Sequence, residues 1–307
     1  MERAMDVVDR RGLLVAGVAI AAASVATAAN AATRDDPMRP IPIPPQVPAK
    51  EGIAPVAGTK LFYWDTGGTG APIVLVHPAT GSALIWSYQQ PAFARAGYRV
   101  AAYSRRGYNG SDAVDKANPG TPSGDLHALV EYLKLPRFHL LGSAAGGGIA
   151  MDYALSHPER VRSLVVACAV GGVEDQSYVK LTSSIRPMGF DDLPAEFREV
   201  GPSYRAANPE GTRLWAELEK KAVTGNRFGP SNANRITFAK LATLTVPTLV
   251  MAGDADLAVP PSVARAYAEH IPGAEVVIVP ECGHSAYWER PDIFNRAVLD
   301  FFARHRG

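Results

Sequence analysis

Short apolar runs alternate with helix-length segments along most of this chain. The runs fall at residues 61–64, 73–76, 99–103, 138–141, 164–167, 248–251 and 275–279, and Gly, Pro and charged residues separate them. Four or five consecutive apolar residues predict a strand buried on both faces, because a strand with one wet face would alternate apolar with polar. Strands of that kind interleaved with helices predict an α/β protein with a mostly parallel, doubly wound sheet. In such sheets ligands bind beyond the carboxyl ends of the strands, so chemistry is expected just after each run.

Two segments stand outside this alternation. Residues 172–244 are too long for one crossover helix, and they hold helical stretches at 193–200 and 203–208 and an amphipathic one at 211–223, where Leu214, Trp215, Leu218 and Lys221 recur at helical spacing. Structureless loops of this length are rare in compact domains, so the segment is predicted to be a helical cap inserted between core halves 53–171 and 245–307. At the other end, Arg10 and Arg11 precede an Ala-rich apolar stretch closed by Ala29, Asn30 and Ala31. That is the pattern of a twin-arginine export peptide, residues 1–31, too short and too poor in Leu and Ile for a stable membrane span. A periplasmic or secreted product is expected, with residues 32–52 as a Pro-rich extended linker.

Composition narrows the partners. With 31 basic against 30 acidic side chains the chain has no net field to attract nucleic acid, which leaves a small molecule as the expected partner. No internal repeat, metal-type Cys/His spacing or phosphate-binding Gly loop occurs. Export permits one disulfide between the two cysteines, Cys168 and Cys282. Both fall at the ends of strands that a third strand separates, about 10 Å apart, so two unpaired, buried thiols are expected.

The strongest motif runs from Phe138 through Gly142, Ser143, Ala144 and Ala145 to Gly146 and Gly147: a strand, a Gly-flanked sharp turn, then a helix. It resembles the nucleophile elbow of the α/β-hydrolases, where small residues two places either side of the central one permit a strained turn that lifts the central side chain above the sheet. Gly142 and Gly146 are those flanks, and the centre, where the family has Ser, Cys or Asp, is Ala144. Shifting the register to centre Ser143 would put Leu141 at a flank, where it crowds the turn. Gly253, Asp254, Ala255, Asp256 resembles the family's acid strand, which makes Asp256 the triad acid and Asp254 its rival. Gly283 and His284, after the last apolar run, resemble the loop that presents the catalytic base. Elbow, acid and histidine follow in the family's order.

The resemblance covers about residues 55–305 and implies the α/β-hydrolase fold without metal or organic cofactor. It also implies an oxyanion hole made by the N–H groups of Ala79 and Ala145, although Pro78 stands where the family usually has Gly after His77. In the loop at 103–111 Arg106 matches a structural arginine, and the extra cation Arg105 is a candidate substrate contact. His127, His139, His157, His270 and His305 sit where structural or surface histidines are the default. Trp86, Tyr88, Phe190, Trp215, Phe228, Tyr287 and Trp288 are candidates for an apolar substrate pocket.

Ala144 leaves two readings open. One is a hydrolase of moderate-sized, partly apolar or aromatic carboxylic esters in which Ala replaces the nucleophilic Ser, so that no acyl-enzyme forms. The other is a natural alanine, with the His284/Asp256 dyad activating water or abstracting a proton in a lyase, cyclase or cofactor-free oxygenase reaction. A non-catalytic binding homologue would have no need of Asp256 and His284 together.

Overall fold

Eight strands form one sheet in the computed structural model, which describes residues 39–56, 58–224 and 231–306. The predicted export peptide and Phe228 lie outside the described residues. The strands are β1 (Lys50–Val56), β2 (Thr59–Asp65), β3 (Pro72–Val76), β4 (Arg99–Tyr103), β5 (Phe138–Ser143), β6 (Val161–Ala167), β7 (Thr248–Gly253) and β8 (Glu275–Val279). Their spatial order is β1-β2-β4-β3-β5-β6-β7-β8; β2 pairs antiparallel with both β1 and β4, and every other pairing is parallel.

The continuous apolar runs divide between two cores with the period of a strand. Val74, Val76, Leu140, Leu164, Val166, Val250 and Ala252 enter one apolar cluster, while Ile73, Leu75, Leu141, Val165, Ala167, Leu249 and Met251 enter the other. The first cluster also takes Leu126 and Leu129 of α2 (Pro122–Tyr132), Ile149 and Tyr153 of α3 (Ala145–Ser156), and Val263 of α9 (Pro261–Ala268). The second takes Phe93 of α1 (Gln89–Arg95) and Phe294, Val298 and Phe302 of α11 (Pro291–Arg304). Both sheet faces are therefore covered, as the patterning requires.

The sequence reading missed β1 and placed the linker's end too late. Residues 50–52, assigned to the linker, already pair with residues 63–65 of β2. Gly52 and Pro55 disguise the strand, and proline is tolerated there because β1 is an edge strand. The preceding residues are extended but not free. Val47 exchanges backbone hydrogen bonds with the Gln90 side chain, the Tyr88 hydroxyl donates to Ile41 O, and the Gln46 amide donates to Ser87 O.

Residues 172–244 contain α4 (Gln176–Ile185), α5 (Ala195–Glu199), α6 (Pro202–Ala207), α7 (Pro209–Ala222) and the short α8 (Phe238–Leu241). In α7 Trp215 is fully buried, Leu214 and Leu218 pack beside it, and Lys221 faces solvent, the division expected of an amphipathic helix. The returning end of the insertion is tied down by Asp152 of α3. This carboxylate accepts hydrogen bonds from the Ser123 hydroxyl (2.6 Å), Ala233 N–H (2.9 Å), Asn234 N–H (2.8 Å) and the Asn234 amide (2.7 Å). A buried carboxylate with four donors cannot be removed without stranding them. Asp152→Ala is predicted to lower the unfolding free energy by about 3 kcal/mol. Denaturant titration checks this; a loss under ~1 kcal/mol would show that water replaces the carboxylate.

Candidate active site

Ala144 sits between β5 and α3 with φ 50° and ψ −117°, a conformation that L residues rarely adopt and that costs about 1–3 kcal/mol. The turn around it closes on bare glycines. A Cβ on Gly142 would strike the Gly146 carbonyl, and one on Gly146 would strike the Val76 carbonyl of the neighbouring strand. Ala144 N–H donates to Ala167 O of β6 (2.9 Å), and Gly147 N–H closes the turn on Ala144 O (2.9 Å). Ser143 is fully buried with its hydroxyl unbonded among the described residues, whereas Ala144 lines the cavity above the sheet. The elbow is present, and its tip is a methyl group.

Asp256 and His284 meet there. The His284 Nδ1–H donates to Asp256 Oδ2 at 2.7 Å, while Asp256 Oδ1 accepts the N–H groups of Ala258 and Val259, both at 2.8 Å. Asp254 instead accepts the Cys282 N–H at 3.2 Å, which gives it a loop-closing role. Gly253 lets the histidine loop cross the end of β7, since a Cβ on it would strike the Cys282 and Gly283 carbonyls.

A second carboxylate holds that loop in place. Glu289, in α10 (Ala286–Glu289), accepts N–H bonds from Gly201 (2.8 Å), Gly283 (2.9 Å) and Ser285 (3.1 Å), so one buried side chain grips both neighbours of His284 and the start of α6. Burial pushes its carboxyl up to about 7 even against those donors. A third carboxylate, Glu199 at the end of α5, lies 3.9 Å from His284 Nε2. The sequence reading did not single it out, because one Glu among several in an insertion carries no motif. Burial raises its carboxyl above the ordinary value, against the pull of His284. Burial would lower His284, but Asp256, Glu199 and Glu289 together outweigh that and raise it to about 9.

The proposed oxyanion loop follows β3. His77 is fully buried and held neutral, chiefly by burial and then by Arg105. Its Nε2 accepts the Arg105 backbone N–H (3.0 Å), so Nδ1 carries the proton and donates to Pro78 O (2.7 Å). Ala79 and Ala145 line one cavity of about 260 Å³, together with Arg105 and Tyr108. Arg105 stacks 4.5 Å above Tyr108 and donates to Pro78 O, whereas Arg106 makes a bidentate pair with Asp125, both bonds 2.7 Å. The arginine read as structural is so; the extra one borders the cavity.

The adjoining cavity, about 290 Å³, brings Ala144, Ala145 and His284 together with Gly172, Arg186 and Asn232 of the insertion. Its walls correct the expectation of an aromatic pocket. Trp86, Tyr88, Trp215, Tyr287 and Trp288 do not line it; they pack on one another in the core, with ring centroids 5.2 Å apart for Trp86 and Tyr287 and 5.5 Å for Tyr88 and Trp288. Phe190 lies under the Arg186 guanidinium at 4.9 Å. Large aromatics bury the most area per residue, and here core packing claims them. Cys168 and Cys282 are free and buried, and burial pushes both thiols well up, so they are poor nucleophiles.

An eight-stranded doubly wound sheet with a strained elbow, followed by an acid–histidine pair over its carboxyl edge, is the architecture of a hydrolase. Residues 73–297 match the sequence profile of the alpha/beta hydrolase family, and the chain belongs to that family. It is 32% identical over 275 residues to a 2-hydroxy-6-oxononadienedioate/2-hydroxy-6-oxononatrienedioate hydrolase of Burkholderia vietnamiensis, covering 80% of this chain and 93% of that one. The enol-lactonase of Burkholderia xenovorans superposes with a TM-score of 0.68 at 25% identity over 82% of this chain and all of that one. An esterase of Exiguobacterium antarcticum gives 0.65 at 26% identity, covering 81% and 98%. Among the described residues no cluster of three or more His, Cys, Asp or Glu is placed to hold a metal, and no helix is long and apolar enough to cross a membrane.

Ala144→Gly removes the positive-φ penalty and gives back part of it as unfolded-chain entropy, so a net gain of about 1 kcal/mol in unfolding free energy is expected; a loss would show that the elbow is relaxed around alanine. For His284 the folded value, about 9, lies above its ordinary 6.5, so its contribution to stability is complete below pH 6.5 and disappears as pH rises through 9. The melting temperature should fall across that window, and His284→Gln should flatten the fall.

Proposed function

We propose that this chain is built to hydrolyse carboxylic esters of moderate size, and that Ala144 blocks the acylation step of a Ser-His-Asp route. The observation that carries the reading is the 2.7 Å His284–Asp256 bond beside a cavity shared by Ala144 and Ala145. A carbonyl placed over the elbow would meet the N–H groups of Ala79 and Ala145 with its oxygen and His284 Nε2 at its leaving group. Relatives named as an esterase, an enol-lactonase and a dienedioate hydrolase support hydrolysis at a carbonyl. Residues 172–244 act as the cap in this reading, and the twin-arginine leader supports action in the periplasm or outside the cell.

Ala144→Ser tests it by restoring an Oγ beside the imidazole. Losing a triad nucleophile costs on the order of a millionfold in turnover while the oxyanion hole keeps a residual rate. Hydrolysis of 4-nitrophenyl acetate by Ala144→Ser should therefore exceed that of the parent by on the order of a thousandfold, and Ala144→Ser/His284→Ala should lose the gain. No gain in a folded variant would overturn the serine route; a gain that survives loss of His284 would overturn the triad.

One observation favours a second reading, in which alanine is native and water is the nucleophile. The Glu199 carboxylate lies on the Nε2 side of His284, where a triad has the serine hydroxyl.

A further inference from the structure

We infer that Glu199 is a catalytic residue, the general base for a water that attacks a carbonyl seated over Ala144, with the neighbouring His284 as the proton donor to the leaving oxygen. This rests on the second reading above, in which residue 144 supplies no nucleophile.

Placement comes first. The Nδ1 side of His284 is taken by Asp256, so only Nε2 can serve reacting atoms, and Glu199 Oε2 is 3.9 Å from it. That gap is too long for a direct hydrogen bond, but a water seated off the line between them reaches both at ~2.8 Å. The other two carboxylates near the imidazole are occupied: Asp256 accepts two N–H groups besides the histidine, and Glu289 accepts three. Glu199 is held where it is by its neighbours in sequence, since Val200 is buried and Gly201 N–H is bound by Glu289. Its side chain keeps 17% exposure, and Thr80, next to Ala79 of the oxyanion loop, approaches its carboxylate.

Charge decides the division of labour. The charges that act most on the imidazole are carboxylates, Asp256 from the loop after β7, Glu199 from α5 and Glu289 from α10, with Arg198 acting on Glu199 and Arg186 of the insertion bordering the same cavity. An imidazole so surrounded holds its proton near neutral pH and is an acid at the start of turnover, not a base. Burial raises Glu199 above an ordinary carboxyl, which makes its ionised form the stronger base.

The cycle closes without a co-reactant. Glu199 takes a proton from water as the water oxygen bonds to the carbonyl carbon, and the carbonyl π pair moves to the oxygen facing the Ala79 and Ala145 N–H groups. That pair returns, the bond to the leaving oxygen breaks, and the leaving oxygen takes the proton of His284 Nε2. Glu199 then passes its proton to Nε2, which restores carboxylate and imidazolium; ester and water have become acid and alcohol.

The test measures 4-nitrophenyl acetate hydrolysis by the full chain across pH 4 to 10, together with ¹⁵N NMR titration of His284. The parent should show a rate above background with an acidic limb from Glu199. Glu199→Gln should lower kcat by on the order of a hundredfold, leave KM nearly unchanged, abolish that limb and shift the His284 titration downward. Glu199→Asp should keep the limb with part of the rate, and it serves in place of the glutamine variant should that one not fold. A parent rate that His284→Ala abolishes but Glu199→Gln spares, with the same pH profile, would overturn the role of Glu199 and leave the water reading standing. A parent at background would overturn both.

Discussion

The placement of the site depends on the three hydrogen bonds that Glu289 accepts from Gly201, Gly283 and Ser285. Sheet and helices alone bring the histidine loop only to the end of β8. The grip on Gly283 and Ser285 sets the direction of His284 between them, and the grip on Gly201 fixes the insertion against the same loop. The approach is close enough that neither glycine tolerates a side chain: a Cβ on Gly201 would lie 2.7 Å from Gly283 N, and one on Gly283 would strike Gly201 N. A buried charge would ordinarily be a liability, but three N–H donors convert it into a joint between core and insertion.

That joint explains why Glu199 belongs to the site although it is remote from the other site residues in sequence. It is two residues from the gripped Gly201, so fixing the histidine loop also fixes this carboxylate of the insertion. The elbow is rigid for a different reason. Its conformation is enforced by glycine contacts on both sides, and so it survives with alanine at the tip, where no hydroxyl chemistry repays the strain. A strained turn tipped by a methyl group, beside a histidine crowded by carboxylates, offers groups for proton transfer but no side-chain nucleophile at residue 144.

Much of this is legible in the amino-acid sequence. The apolar runs mark seven of the eight strands, most of them parallel strands buried in the middle of the sheet, which leave a continuous apolar pattern. Gly142, Gly146, Asp256 and His284 could be read because the segments that carry them resemble the elbow, acid strand and histidine loop of the α/β-hydrolases. What was hidden depends on contacts between distant segments. β1 was obscured by Gly52 and Pro55, which only an edge tolerates; Glu199 carries no spacing signal, and Glu289, although it lies in the histidine-loop motif, shows its role only through the N–H groups it faces. The aromatics misled for the opposite reason, because Trp86, Trp215, Tyr287 and Trp288 near the motifs suggested a pocket, and size and burial sent them to the core.

The small-walled cavity that remains bears on what the site can accept. Ala144, Ala145, Gly148, Gly171 and Gly172 leave room close to the elbow, and the polar groups at its border, Arg186, Asn232 and His284, can act on a carbonyl substrate without aromatic stacking. Two of those three come from the insertion, as does Glu199. Selectivity and proton transfer would then be set by the same segment, and a change in the insertion that moves α5 by even an ångström would alter the 3.9 Å gap through which Glu199 adds to the effect of Asp256 on the histidine. The core supplies a fixed elbow and a fixed acid–histidine pair; the insertion decides whether that imidazole meets a base, a substrate or solvent.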